Sequence, residues 1–106
     1  MPDAKTFESL LAKGPDSALL RFSLANAYAT ESRPVDAIEH LIKALDFDDQ
    51  FSAAWKLLGR CYFDTENYAD AVRTYEQGVL VADARGDKQA AKEMGVFLKR
   101  SVKKLG

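Results

Sequence analysis

Residues 55–62 read Trp55-Lys56-Leu57-Leu58-Gly59-Arg60-Cys61-Tyr62. Trp55, Leu58, Gly59 and Tyr62 step by three and four residues, the spacing that lines up side chains on one face of an α-helix. A glycine inside a helix costs about 1 kcal/mol against alanine. Gly59 is therefore expected to mark a close approach of two helix backbones. Shifted by 34 residues, the stretch meets a copy of itself. Leu58 falls on Leu24, Gly59 on Ala25, Cys61 on Ala27 and Tyr62 on Tyr28. Farther along, Ala71 falls on Ala37, Tyr75 on Leu41 and Gly78 on Ala44. Small residues pair with small and large with large, so the period is that of a structural repeat.

The flanking sequence keeps the helical period. Leu20, Leu24, Ala27 and Tyr28 share it, as do Val35, Ile38, Leu41, Ile42 and Leu45, and Tyr68, Val72, Tyr75 and Val79. No useful stretch alternates with period two, so strands are not expected. Gly14-Pro15-Asp16-Ser17 can end one helix and cap the next. Ser32-Arg33-Pro34 opens another helix, with proline tolerated in the first turn. Asp48-Asp49-Gln50, Thr65-Glu66-Asn67 and Arg85-Gly86-Asp87 are further joints. These breaks predict six helices over residues 3–13, 16–31, 34–47, 50–64, 67–84 and 87–105. Joints this short predict antiparallel hairpins. Ala25, Ala37, Ala44, Gly59, Ala71 and Gly78 would let the helices close up, with Tyr28, Tyr62, Trp55 and Tyr75 filling the core between hairpins.

Composition bounds the function. A chain of 106 residues has room for one domain. It is 47% apolar and 29% charged, which argues for a packed core and against disorder. Its net charge of −1 excludes a generally basic nucleic-acid binder. The single cysteine excludes an internal disulfide. No apolar run approaches the roughly 20 residues that cross a bilayer. Met1-Pro2-Asp3-Ala4-Lys5 lacks the apolar core of a secretory signal, so a cytoplasmic protein is expected, with no membrane partner.

The chain resembles the tetratricopeptide repeat (TPR) family. The 55–62 stretch followed by Tyr68, Ala71, Tyr75 and Gly78 carries the family signature nearly complete. Leu24-Ala25-Asn26-Ala27-Tyr28, then Ala37, Leu41 and Ala44, is a second copy, in which Arg21 stands for the signature tryptophan and Pro34 for the usual tyrosine. Asp49 and Asp83 stand where a closing proline is common. The resemblance implies an all-α fold of stacked antiparallel hairpins in a short right-handed superhelix. It divides a single domain over 1–106 into an N-terminal half repeat (2–15), repeats at 18–51 and 52–85, and a capping helix (87–105). Met94-Gly95 and Leu98 match Leu58-Gly59 and Tyr62 at a spacing of 36.

The family binds proteins rather than performing chemistry. The first helix of each repeat lines a concave surface for an extended peptide or a partner helix. Carried over by position, that surface comprises Leu19, Phe22, Asn26 and Ala29, then Ala53, Lys56, Arg60, Phe63 and Asp64, with Lys92, Val96, Lys99 and Arg100 added by the last helix. Phe22, Asn26, Lys56, Arg60, Phe63 and Lys92 are the expected groove residues. Phe22 and Phe63 would take apolar side chains, Asn26 a backbone hydrogen bond, and Lys56 and Arg60 a carboxylate. An acidic or C-terminal peptide is the expected ligand. The alternative is that Lys56 and Arg60 are simply solvated. Of the family's chaperone-tail clamp only Asn26 falls on a matching slot. Leu57, Gln89 and Glu93 occupy others, so an Hsp70- or Hsp90-type tail is not the expected ligand.

Charge is unevenly spread. Residues 88–106 hold six bases against Glu93 alone, and residues 29–87 hold twelve acids against six bases. The cations near the C-terminus of the last helix are expected chiefly to complement its dipole, with Lys103-Lys104 a frayed tail. Head-to-tail self-association and nucleic-acid binding through Lys99, Arg100, Lys103 and Lys104 are the rival readings. Against the latter, Val96, Phe97, Leu98 and Val102 lie among the bases, and a cap is expected to bury them. No phosphate loop, CxxC pair or HExxH motif occurs. His40 and Cys61 are the only residues of their kinds and fall in different helices. His40 is expected at the surface and Cys61 as a small buried packing residue. No enzyme activity, small-molecule substrate, cofactor or metal is expected.

Overall fold

The computed structural model describes residues 2–106, which form six helices. They are α1 (Ala4–Lys13), α2 (Ala18–Thr30), α3 (Pro34–Phe47), α4 (Ser52–Asp64), α5 (Tyr68–Ala84) and α6 (Lys88–Leu105). No strand occurs among the described residues. Each helix folds back on its neighbour, and α4 also touches α2 and α6 across the stack. The stack measures 43 × 28 × 22 Å.

Several helices begin one or two residues later than the periodicity suggests, because the capping side chains stand outside them. Asp3, Ser17 and Asp87 each accept a hydrogen bond from a backbone N–H three residues on. Glu31 reaches back from the end of α2 and accepts from the Ala4 N–H at 2.8 Å, pinning α1 to the stack.

Three joints share one geometry. Ser32 (φ 61°), Glu66 (φ 62°) and Gly86 (φ 76°) adopt the left-handed conformation. The N–H of the residue after each reaches back to Tyr28, Tyr62 or Ala82 respectively, at 2.8 Å. Two of the three turns thus use a non-glycine residue where glycine fits best.

Small residues bring the helices together. Ala25, Ala37, Ala44, Ala54 and Ala71 are fully buried. A methyl group added to Gly59 would lie 2.5 Å from Cε1 of Tyr75, so the Tyr75 ring rests on the Gly59 backbone. A methyl on Gly78 would lie 2.5 Å from the Met94 sulfur and 3.0 Å from Trp55 Cβ. Trp55 and Tyr62 pack on both halves of the core and join them. Both remain half-buried, unlike the buried Tyr28 and Tyr75.

Two expectations are corrected. His40 is not a surface residue: its side chain is only 13% exposed. It stacks on Tyr28 at 5.7 Å, and its Nδ1 lies 2.9 Å from Arg21 Nη1. Arg21 itself is clamped by Asp16 at 2.7–3.1 Å. Asp16 thereby ties α2 to the turn before it. Trp55 does the same for α4 by donating its indole N–H to the Asp49 carbonyl at 2.8 Å. The second correction concerns α6. Val96 (47% exposed) and Val102 (51%) face outward, because no helix among the described residues covers that side. Phe97 and Leu98 are half-buried.

Candidate functional site: the cleft between α2, α4 and α6

α2, α4 and α6 lie side by side and enclose a cleft of about 300 Å³. Its lining is Phe22 and Asn26 from α2, Ala53, Lys56, Leu57 and Arg60 from α4, Tyr75 from α5 and Phe97 from α6. A smaller hollow of about 160 Å³ continues past Phe22 and Asn26 to Phe7 and Pro2. Four of the six expected groove residues, Phe22, Asn26, Lys56 and Arg60, therefore meet around one cavity.

The other two stand apart. Phe63 sits behind Phe97, with its ring edge-on to Tyr68 (5.3 Å) and to Phe97 (6.4 Å). Lys92 is exposed on α6 and does not line the cleft. Among the remaining positions carried over, Ala53 lines the cleft and Asp64 meets it only through Arg60. Leu19 is exposed, and Val96 and Lys99 line a different surface.

The cleft's cations already have partners. Lys56 forms an ion pair with Glu93, and Glu93 also accepts from Gln89 at 3.0 Å. The hydrogen bond from Lys56 holds the Glu93 carboxyl below the usual carboxylate range, helped by the one from Gln89. Arg60 donates to Asp64 at 3.2 Å, one helical turn away. Its guanidinium also lies over the Phe97 ring at 5.6 Å, with Arg100 over the same ring at 5.2 Å.

Phe97 is the residue that sequence reasoning missed. It was expected beneath a cap, yet it lines the cleft and stacks on Tyr75 at 5.9 Å. The legible signal was its place on α6 between Met94 and Ser101, both fully buried. Tyr75 adds a polar atom. Its hydroxyl is buried with no hydrogen-bond partner among the described residues, and burial pushes its pKa well up. Burial likewise raises the Cys61 thiol to about 11, leaving it protonated and unreactive at neutral pH.

Comparison with known proteins places this architecture. Two tetratricopeptide repeat family models match, one over residues 29–93 and the other over 4–51. The chain belongs to the tetratricopeptide repeat family. This TPR chain is 45% identical over 93 residues to a TPR repeat-containing protein of Pseudomonas aeruginosa, covering 88% of this chain and 89% of that one. It is 38% identical over 69 residues to human DnaJ homolog subfamily C member 7, covering 65% of this chain but 14% of that one. The solution structure of a Bordetella parapertussis protein matches with a TM-score of 0.83 at 40% identity, covering 97% of this chain and 90% of that chain. The TPR2B domain of yeast Sti1, solved in complex with pHsp70, matches with a TM-score of 0.86 at 19% identity, covering 94% and 80%. That last likeness is one of fold. TPR domains generally mediate protein–protein interactions. No helix of the described residues is long and apolar enough to cross a membrane.

Proposed function

We propose that this TPR chain is a non-enzymatic cytoplasmic adaptor that binds a peptide segment or helix of a partner protein in the α2–α4–α6 cleft. The observation that carries the reading is the lining itself: Phe22, Leu57 and Phe97 form apolar walls, and Asn26 is the one amide among them. Such a site takes an apolar or aromatic anchor, with Asn26 holding the ligand backbone. Phe97 joins the expected groove set, while Phe63 supports it from behind and Lys92 lies at its periphery.

The internal ion pairs sharpen the ligand. A carboxylate on the peptide would share Lys56 with Glu93 and Arg60 with Asp64, whose charges already offset part of the cations' attraction. An acidic or C-terminal group therefore tunes affinity, and the apolar anchor supplies most of it.

The test is photo-crosslinking in cells of the source organism, with the reactive side chain at Ala53 in the cleft or at exposed Leu80 on α5. Adducts from position 53, lost when Asn26→Ala and Leu57→Glu are added to the folded chain, are the expected result. Adducts from position 80 alone, or adducts at 53 that both substitutions leave intact, overturn the groove. A single adduct of twice the chain mass assigns the surface to self-association instead.

A further inference from the structure

α4 and α6 are the same kind of helix, 36 residues apart. Ser52 and Lys88 begin them, Leu58 and Met94 are buried, Gly59 and Gly95 come next, and Tyr62 and Leu98 follow three residues later. On α4 this face is covered. α5 lies over it and Tyr75 fills the space at Gly59. On α6 the matching face is covered at Met94 and partly at Leu98 but open at Gly95, where an added methyl meets nothing within 4 Å. A mid-helix glycine with nothing packed on it forfeits about 1 kcal/mol of helix propensity for no structural gain inside the chain.

The open side of α6 is apolar and built for a helix. Gly95, Leu98, Val102 and Leu105 follow one another at intervals of three and four residues. Val102 and Leu105 are more than half exposed. A surface cleft of about 570 Å³ lies against the C-terminal half of α6, lined by Leu98, Val102 and Val96 and edged by Lys99, Arg100 and Lys103. No carboxylate among the described residues forms an ion pair with Lys92, Lys99 or Lys103.

We propose that this face of α6 docks one amphipathic helix of a partner protein, seated as α5 is seated on α4. An aromatic side chain of the partner covers Gly95, apolar neighbours meet Leu98 and Val102, and carboxylates pair with Lys99 and Lys103. The unpaired lysines select an acidic partner by charge complementarity. The open glycine leaves room for a ring, as Gly59 does for Tyr75, and the three- and four-residue spacing of Leu98, Val102 and Leu105 beside it suits the length of a helix. α5 shows the shape required, for it carries Tyr75 at its centre. It is also acidic, with Asp70, Glu76 and Asp83 against Arg73, although none of these acids forms an ion pair with α4.

The probe is a fluorescent synthetic peptide of residues 67–85, helix-locked by a side-chain staple on its outer face and titrated against the intact chain. Saturable binding is expected, in the micromolar range of a weak, transient interface. Amide shifts should centre on Gly95, Leu98, Lys99 and Val102. Gly95→Leu fills the space and should weaken binding at least tenfold without lowering the melting temperature. Lys99→Glu with Lys103→Glu should weaken it about fivefold, and added salt should weaken the wild type. Asn26→Ala, in the other cleft, should change nothing, which separates this proposal from the groove reading. Absence of saturable binding overturns the proposal, as do shifts confined to Phe22, Asn26, Lys56 and Arg60. So does binding that Gly95→Leu leaves unchanged. Phosphatidylserine vesicles or a DNA oligonucleotide bound equally well by wild type and Gly95→Leu, with no peptide binding, would reassign the lysines to a polyanion.

Discussion

The hairpin α2–α3 and the hairpin α4–α5 solve one packing problem in two ways. In the first, Ala25 and Leu41 are both buried in one core; at the matching positions 34 residues on, Gly59 faces Tyr75. Where the first helix gives up a methyl, the second gains a ring. The pairs exchange volume across the interface, so the repeat conserves the fit and not the residues. The ends of the hairpins show the same trade. Arg21 clamped by Asp16 and Trp55 bonded to the Asp49 carbonyl both fasten a helix to the turn before it.

The largest expected effect breaks this fit. Gly59→Ala forces a methyl against a fully buried ring and should destabilise the fold by about 2–3 kcal/mol, read as a lower midpoint in urea unfolding. The double variant Gly59→Ala with Tyr75→Leu installs the first hairpin's pair in the second. It should recover most of that loss, whereas additive losses would show that the two hairpins are not interchangeable.

Tyr75→Phe should come next. It keeps the ring on Gly59 and removes a buried hydroxyl without a partner, so stability should rise by about 1 kcal/mol. Gly95→Ala should also stabilise, by up to about 1 kcal/mol, because nothing faces the added methyl. The opposite signs of Gly59→Ala and Gly95→Ala, in matching positions of α4 and α6, test whether the difference lies in what covers them.

The smallest effect concerns His40, whose counterpart in the second hairpin is Thr74. Burial lowers the pKa of His40 below its usual 6.5. The unfolded chain then takes up the proton before the folded one. Its stabilising contribution is thus complete above about pH 6.5 and is lost as pH falls toward the folded value. His40→Gln can still accept from Arg21 and does not titrate. Its melting temperature should fall less than that of the wild type between pH 7 and 5.

Much of the cleft was readable because its positions follow from helix periodicity. Phe22 and Asn26 share one face of α2, Lys56 and Arg60 one face of α4, and the cleft gathers all four. Phe63 and Lys92 lie outside it: Phe63 packs edge-on against Tyr68 and Phe97, and Lys92 is exposed on α6. The burial of His40 and the exposure of Val96 and Val102 were not readable for a related reason. Burial depends on whether another helix stands opposite, and periodicity does not report that.

The sequence by itself determined the six helices, their hairpin joints and the pairing of small with large residues, since these rest on local spacing and on a 34-residue period. Tertiary structure decided the electrostatics of the cleft. Lys56 and Glu93 are 37 residues apart and meet only because α4 and α6 stack with one particular offset. That packing sets a carboxylate beside Lys56, so the cleft holds apolar walls together with cations that already have partners. Tertiary structure likewise leaves Val96, Val102 and Leu105 exposed, because no helix among the described residues packs on that side of α6.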